Sequence, residues 1–431
     1  MTTLQAIDII DESTGAGHGG APGEPRPSGP GGRRPRPALL TRALLLRLAS
    51  AVGMATSFYL LLSVVPLFAR SVGAGVNTAG LSTTALTLAG VAGELVTPWL
   101  AARFGYRQLL AAGLILLGAP ALLLLVPGGM TLIIAVCVVR GFGFGAAVVA
   151  GGALTASIIP AERRGEGLAL LGVAAGLPSI AALPLGVWLA AHAGYAPVII
   201  AGAVASLAAL PSVPGLPQPP AAAATAGGAA ATSAHGNGGS GRRAGVMTGL
   251  RTPALARPYI AFSATCMAAG VIVTFLPLAA GHATAGLVAL ALLIQPAAST
   301  LTRWLAGRYG DRHGPARLIV PSVVLSAAGV LALALSSGPA AVIGGAALFG
   351  AGFGVAQNAS LALMYARVST SEYGTVSAIW NLAYDAGMGL GAAAFGAVAA
   401  RAGSPMAFSL LAAVMLAMAV PALRDTRGGR R

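Results

Sequence analysis

Charge is what this sequence has least of: 9% of its 431 residues are Asp, Glu, Lys or Arg, while 56% are hydrophobic. Soluble chains carry roughly a quarter charged residues, so a chain of this composition cannot cover itself with polar surface in water. Lysine is missing altogether and all 26 basic residues are arginine, which we read as codon bias and not as mechanism. Cysteine is nearly missing too. Cys137 and Cys266 each sit inside an apolar stretch with no metal-type partner nearby, which argues against a disulfide framework and leaves apolar packing as their role. The five histidines, His18, His192, His235, His282 and His313, fall in tails, linker or loop edges, and no His-Glu-x-x-His occurs. An intramembrane enzyme needs a metal or nucleophile constellation within the bilayer, so we expect no metal, no cofactor and no enzymatic activity.

The N-terminus also lacks a cleavable signal. Residues 1–38 open with Asp8, Asp11 and Glu12, turn Gly-, Pro- and Arg-rich, and offer no apolar core before Leu39, so they are expected to form a disordered cytoplasmic tail. A formal net charge of +15 raises nucleic acid as a partner, but the arginines sit at the ends of apolar runs and in tails, not on a basic face interleaved with aromatics. No nucleic-acid partner is expected.

What the chain has in abundance is apolar runs of membrane-spanning length, roughly 20 residues each. Between charged or Gly/Pro breaks they fall near residues 43–69, 78–101, 108–126, 130–158, 167–191 and 195–214, and again near 257–280, 284–306, 316–336, 339–366, 374–400 and 404–423. This predicts an all-α membrane protein of 12 transmembrane helices in two pseudo-symmetric bundles, 39–214 and 257–424. Between them, residues 215–256 are Ala-, Gly-, Pro- and Ser-rich and read as a flexible cytoplasmic linker. Residues 425–431 form a basic tail. With both termini in the cytoplasm, inward loops hold Arg103, Arg107, Arg163, Arg164, Arg308 and Arg317 among others, and outward loops only Arg70 and Arg401. That is roughly a tenfold inside excess once tails are counted, as expected of a multi-pass protein of the inner or plasma membrane.

The halves also repeat each other. Thr78-Ala79-Gly80-Leu81 recurs as Thr284-Ala285-Gly286-Leu287, and Trp99 to Gly105 recurs as Trp304 to Gly310. Gly141, Gly143 and Gly145 match Gly350, Gly352 and Gly354, with the offset grown by four residues, which a short insertion in the loop after the eighth span would explain. These Gly-x-Gly-x-Gly runs lie inside apolar helices with no preceding strand, so they read as close helix packing and not as nucleotide loops.

Only two carboxylates lie inside spans, Glu94 and Asp385. Counting from the cytoplasmic helix ends places them about 12 and about 16 Å deep, where a central solute cavity would lie. Asn381 and Asp385 share one helical stripe, and Trp380 and Tyr384 the adjacent one, so acid, amide and aromatics converge. Tyr59, Gln295, Gln357 and Asn358 are further candidates for a solute cavity, each about as well explained by an interhelical hydrogen bond. Arg140 sits near mid-bilayer, where an unpaired charge costs several kcal/mol.

With these residues in hand, the chain resembles the major facilitator superfamily from about Leu39 to Leu423. Its best local evidence is the loop between the second and third helices of each half. Gly307, Asp311, Arg312, Gly314 and Arg317 fit the family's loop pattern. In the first half Arg103, Gly105 and Arg107 fit, but Ala102 replaces the aspartate and Pro98 the first glycine. The resemblance implies that these loops gate the cytoplasmic face, and that Arg140 beside its glycines is a functional intramembrane arginine. Gly172, Gly176, Pro178, Pro184 and Gly186 form a degenerate match to a pattern of proton-coupled drug exporters, with Leu183 where a glycine is usual.

The implied activity is secondary active transport by alternating access, with protons and a small-molecule substrate as partners, the lipid bilayer as solvent, and a monomer as the working unit. Either carboxylate could carry the proton while Arg140 biases the one it approaches, or Glu94 and Arg140 could form a permanent ion pair that leaves Asp385 to act alone. Export of an amphipathic metabolite or drug, uptake of a sugar or organic anion, and a non-cycling receptor all remain open at this level.

Overall fold

The computed structural model describes residues 40–159, 164–217, 251–279, 285–335, 338–368 and 373–423. The N-terminal tail, the greater part of the linker, the C-terminal tail and the side chain of Asp311 lie outside the described residues. Among the described residues every regular element is helical, and twelve helices are long and apolar enough to cross a membrane. We number them by span. α1 runs Arg42–Leu62 and, after a break at Ser63, Val64–Ser71; α2 is Val76–Phe104; α3 is Tyr106–Gly118, drawn out by a 3-10 segment Ala119–Leu125. α4 is Met130–Ile158, α5 Arg164–Ala193 and α6 Tyr195–Leu207. The second set comprises α7 Pro253–Ala279, α8 Ala285–His313, α9 Ala316–Leu335, α10 Pro339–Tyr365, α11 Tyr373–Ala402 and α12 Ser404–Ala419.

Glycine turns set the repeat. Gly105 (φ 84°) separates α2 from α3 and Gly314 (φ 85°) separates α8 from α9, both in the left-handed region that glycine adopts without strain. Gly194 and Gly403, with φ of 83° and 81°, do the same between α5 and α6 and between α11 and α12. Residue numbers in both pairs differ by 209, the offset that also relates Gly141 to Gly350. The earlier Trp99 to Trp304 match has an offset of 205, so four residues are gained between the two motifs. The structure corrects the expected loop insertion: α8 continues through Gly310 to His313 as one more helical turn. Four residues add close to a full 3.6-residue turn, so the extension preserves the faces that α8 presents to its neighbours.

The glycine stripes bring helices into backbone contact. A methyl group on Gly141 or Gly145 would overlap the carbonyls of Leu86 and Gly90 on α2, while one on Gly143 would meet Leu116 and Gly113 on α3. The second half repeats the arrangement: Gly350 and Gly354 abut Gln295 and Ser299 on α8, and Gly352 abuts Ser326 on α9. α4 and α10 are thereby locked between two neighbours each, the small-residue packing that replaces hydrophobic drive in lipid. Between halves, α2 packs along α11, α5 along α8, and α7 touches α2 and the second segment of α1.

Candidate functional site

Alternation of the spans places the start of α1, the turns at Gly105 and Gly314, and the end of α10 on one face of the molecule, called here the arginine-rich face. Toward the opposite face the two halves are stitched together. The hydroxyls of Thr83 (α2) and Thr274 (α7) are 2.8 Å apart, and Thr84 Oγ1 donates to the carbonyl of Gly389 (α11) at 2.9 Å. Gly80 lets the ring of Phe275 lie against the α2 backbone, and Gly389 seats Thr87. Outside this seam lies a cleft of about 280 Å³ bordered by Arg70, Ser71, Tyr195, Pro277 and Val288.

Farther along the same α2–α11 seam, toward the arginine-rich face, stand the two intramembrane carboxyls. Glu94 and Asp385 are half-buried neighbours, one carboxyl from each half. Gly145 holds α2 at this point, since its α-carbon lies against the backbone of Gly90 and Glu94. Next to the pair, Tyr59 of α1 and Tyr384 of α11 are neighbours, again across the halves. Arg303 of α8 faces both tyrosines and donates from Nη1 to Gln357 Oε1 at 3.1 Å. It is walled by protein yet still reachable by water.

An aromatic wall backs these groups. Trp380 stacks on Phe262 with centroids 4.7 Å apart and donates from Nε1 to Ser360 Oγ at 3.0 Å, while Tyr384 lies 5.9 Å from Trp380 and 6.0 Å from Phe353. Asn381 is half-buried one turn before Asp385. The structure thus brings Glu94, Asp385, Tyr59, Tyr384, Trp380 and Gln357 to one crevice between the halves.

Other candidate residues lie elsewhere. Arg140 is 1% exposed, and its guanidinium donates to the carbonyls of Leu117 at 2.7 Å and Ser57 at 3.4 Å. Its partners are α3 and α1 backbone, so the geometry is not that of an ion pair with Glu94, whose neighbour is Asp385. Gln295 is buried, with its backbone against Gly350. The Asn358 amide sits beside Gly307 near the arginine-rich end of α8. Pro178 is buried, Pro184 half-buried, and Gly186 packs on the Leu60 carbonyl of α1. At the arginine-rich face, Arg103 lies over Phe104 at 5.8 Å, Arg107 is half-buried, and Arg312 and Arg317 are exposed.

Sequence reading missed three groups. Arg303 was hidden because the predicted eighth span ended at 306, which made it an end-of-span arginine; with α8 reaching His313 it lies ten residues, about 15 Å, from the helix end. Arg47, 3% exposed, donates from Nε to the Gly151 carbonyl at 2.8 Å and to Thr155 Oγ1 at 3.0 Å, tying α1 to α4. The Thr83–Thr274 contact joins residues of no common motif, so only three-dimensional structure reveals it. Among the described residues no group of three or more His, Cys, Asp or Glu could hold a metal.

Residues 48–281 and 258–431 each match the family model of the Major Facilitator Superfamily. The chain belongs to that superfamily. Its members' fold is also that of a solved structure similar to this one, the nucleoside transporter NupG: 13% identity, a TM-score of 0.67, and coverage of 88% of this chain and 99% of that one. No curated protein matches the chain. As a Major Facilitator Superfamily member, this protein is an integral membrane transporter.

Proposed function

We propose that this chain is a proton-coupled secondary transporter that works by alternating access and exports a small amphipathic solute in exchange for protons. The observation that carries the reading is the juxtaposition of Glu94 and Asp385, one from each half. An ionised carboxylate only accepts hydrogen bonds, so two such neighbouring carboxyls bond to each other only when a proton lies between them. One carboxyl comes from each half, and the proton therefore helps to join the halves. Its loss leaves two like charges facing each other, which drives them apart unless a basic or polar part of a solute takes the proton's place. Proton and solute then alternate at one seam, which is the requirement for exchange. The Trp380–Tyr384 wall supplies apolar contact for the rest of such a solute.

In this reading the arginine-rich face and both termini are cytoplasmic, following the inside-positive rule. The crevice, sealed at the Thr83–Thr274 seam, loads from that side. The loops at Gly105 and Gly314 close it in the alternate state. Arg140 holds α4 against α1 and α3 and carries no proton. The test is flux in proteoliposomes under an imposed pH gradient, read in both directions across a panel of aromatic amines, organic anions and sugars. Glu94→Gln and Asp385→Asn are each expected to lose pH-driven flux. If both variants keep full pH-driven flux, the pair is not the coupling device; if flux runs with the proton into the cell, the protein takes solute up.

A further inference from the structure

The crevice holds a third charged group besides its two carboxyls, and its setting differs from that of the other arginines within the spans. Arg47 and Arg140 are almost completely buried and their donors are satisfied by the Gly151, Leu117 and Ser57 carbonyls and by Thr155 and Ser50 hydroxyls. They tie helices together. Arg303 instead faces the crevice, and the hydrogen bond it makes is to the neutral amide of Gln357. A guanidinium carries five N–H donors, and the bond to Gln357 uses one of them. An arginine about 15 Å inside a helix end is costly unless it is wetted or paired, and a water-lined crevice supplies the first while a solute can supply the second.

The repeat sharpens the point. The first-half counterpart of Arg303 is Pro98, and that of Glu94 in the second half is Ser299, by the offset that pairs Trp99 with Trp304. Asp385 corresponds to Gly176 by the offset that pairs Gly141 with Gly350. Each charged group of the crevice is therefore placed once and not duplicated, as expected of groups that bind a solute without internal symmetry. With one proton on the carboxyl pair the three groups sum to zero charge, and without it to minus one.

Building on the proton-exchange reading, we infer that Arg303 selects the solute: it binds a carboxylate or equivalent anionic end, so the solute class is an aromatic zwitterion whose basic end meets the Glu94–Asp385 pair. Tyr59 and Tyr384 neighbour both Arg303 and Asp385, so the arginine and the acid pair share one lining. The ring of such a solute would lie along Trp380 and Tyr384, whose faces stack at 5.9 Å. Guanidinium and carboxylate can meet through two parallel hydrogen bonds, a geometry that lysine cannot reproduce.

The probe is the fluorescent zwitterion norfloxacin, compared with its methyl ester, which keeps the ring and the basic end and loses the carboxylate. Binding to purified full-length protein is expected to favour the acid over the ester by about 10-fold or more, and Arg303→Gln to bring that ratio close to one. Arg303→Lys should keep an intermediate ratio, which separates loss of recognition from loss of fold. A wild type that binds neither probe, or binds ester as tightly as acid, overturns the inference, as does an Arg303→Gln protein with an unchanged ratio. Coupling is read separately, as pH-driven flux in Asp385→Asn. Should that variant keep its coupling while the acid-to-ester ratio still depends on Arg303, the proton reading fails and the selectivity assignment stands.

Discussion

Removing the threonine stitches should loosen the seal on the face opposite the arginines by an amount that can be worked out. Thr83 bonds Thr274 at 2.8 Å and Thr84 bonds the Gly389 carbonyl at 2.9 Å, both between halves. Hydrogen bonds between membrane helices contribute about 0.6 kcal/mol each on average, because alternatives are found when they break. Thr83→Val keeps side-chain shape and should raise the ratio of open to sealed states about threefold; Thr83→Val with Thr84→Val should raise it roughly sevenfold, if the two bonds add. Ala392 on α11 is the reporter: it is fully buried, and its carbonyl lies 3.4 Å from where a methyl on Gly80 would sit. With Cys137 and Cys266 replaced by alanine and Ala392 by cysteine, the rate of reaction with a membrane-impermeant maleimide added on that side tracks the open population. Equal labelling rates in the parent and both threonine variants would refute the claim that these contacts hold the seam.

Three further outcomes follow from packing. Gly145→Ala and Gly354→Ala each place a methyl on a neighbouring backbone carbonyl, of Gly90 and of Ser299, and should lower stability by about 1–3 kcal/mol in thermal unfolding, whereas Gly176→Ala, with open space around it, should stay within about 0.5 kcal/mol. Arg140→Gln gives up the bonds to Leu117 and Ser57 and should lower the melting temperature while leaving the pH dependence of flux in place; a shifted pH profile would return Arg140 to the coupling machinery. Gly314→Ala strains a residue at φ 85° and should destabilise by about 1 kcal/mol, measured as a lower midpoint of thermal unfolding.

The architecture was legible in the sequence because lipid forces it into the open. A backbone in hydrocarbon must satisfy its own hydrogen bonds, so each span announces itself as a long apolar run, and all twelve fall within a few residues of their expected places apart from the extended arginine-rich end of α8. The intramembrane carboxyls were legible for the same reason, since Glu94 and Asp385 stand out against an apolar background. Their partnership was not. Which face of α2 meets which face of α11 depends on small residues such as Gly80, Gly389 and Ala392, and composition does not distinguish a glycine that seats another helix from one that faces lipid. Arg303 was obscured by a single misplaced helix end, because the arginine, histidine and glycine residues after 306 mimic a loop. Arg140 was legible as a buried charge, but whether its partner is a carboxylate or a carbonyl is a question of rotamer and neighbour that no spacing answers.

The central claim is that Glu94 and Asp385 share a proton in a wet seam between the halves. Infrared difference spectroscopy of the purified protein over a pH titration observes that proton directly through the carbonyl stretch of a protonated carboxylic acid. One such band is predicted, lost as the pH rises and displaced in both Glu94→Gln and Asp385→Asn, because in this reading each carboxyl shares the proton with the other. A wild type without the band, or a band that neither substitution moves, would contradict it.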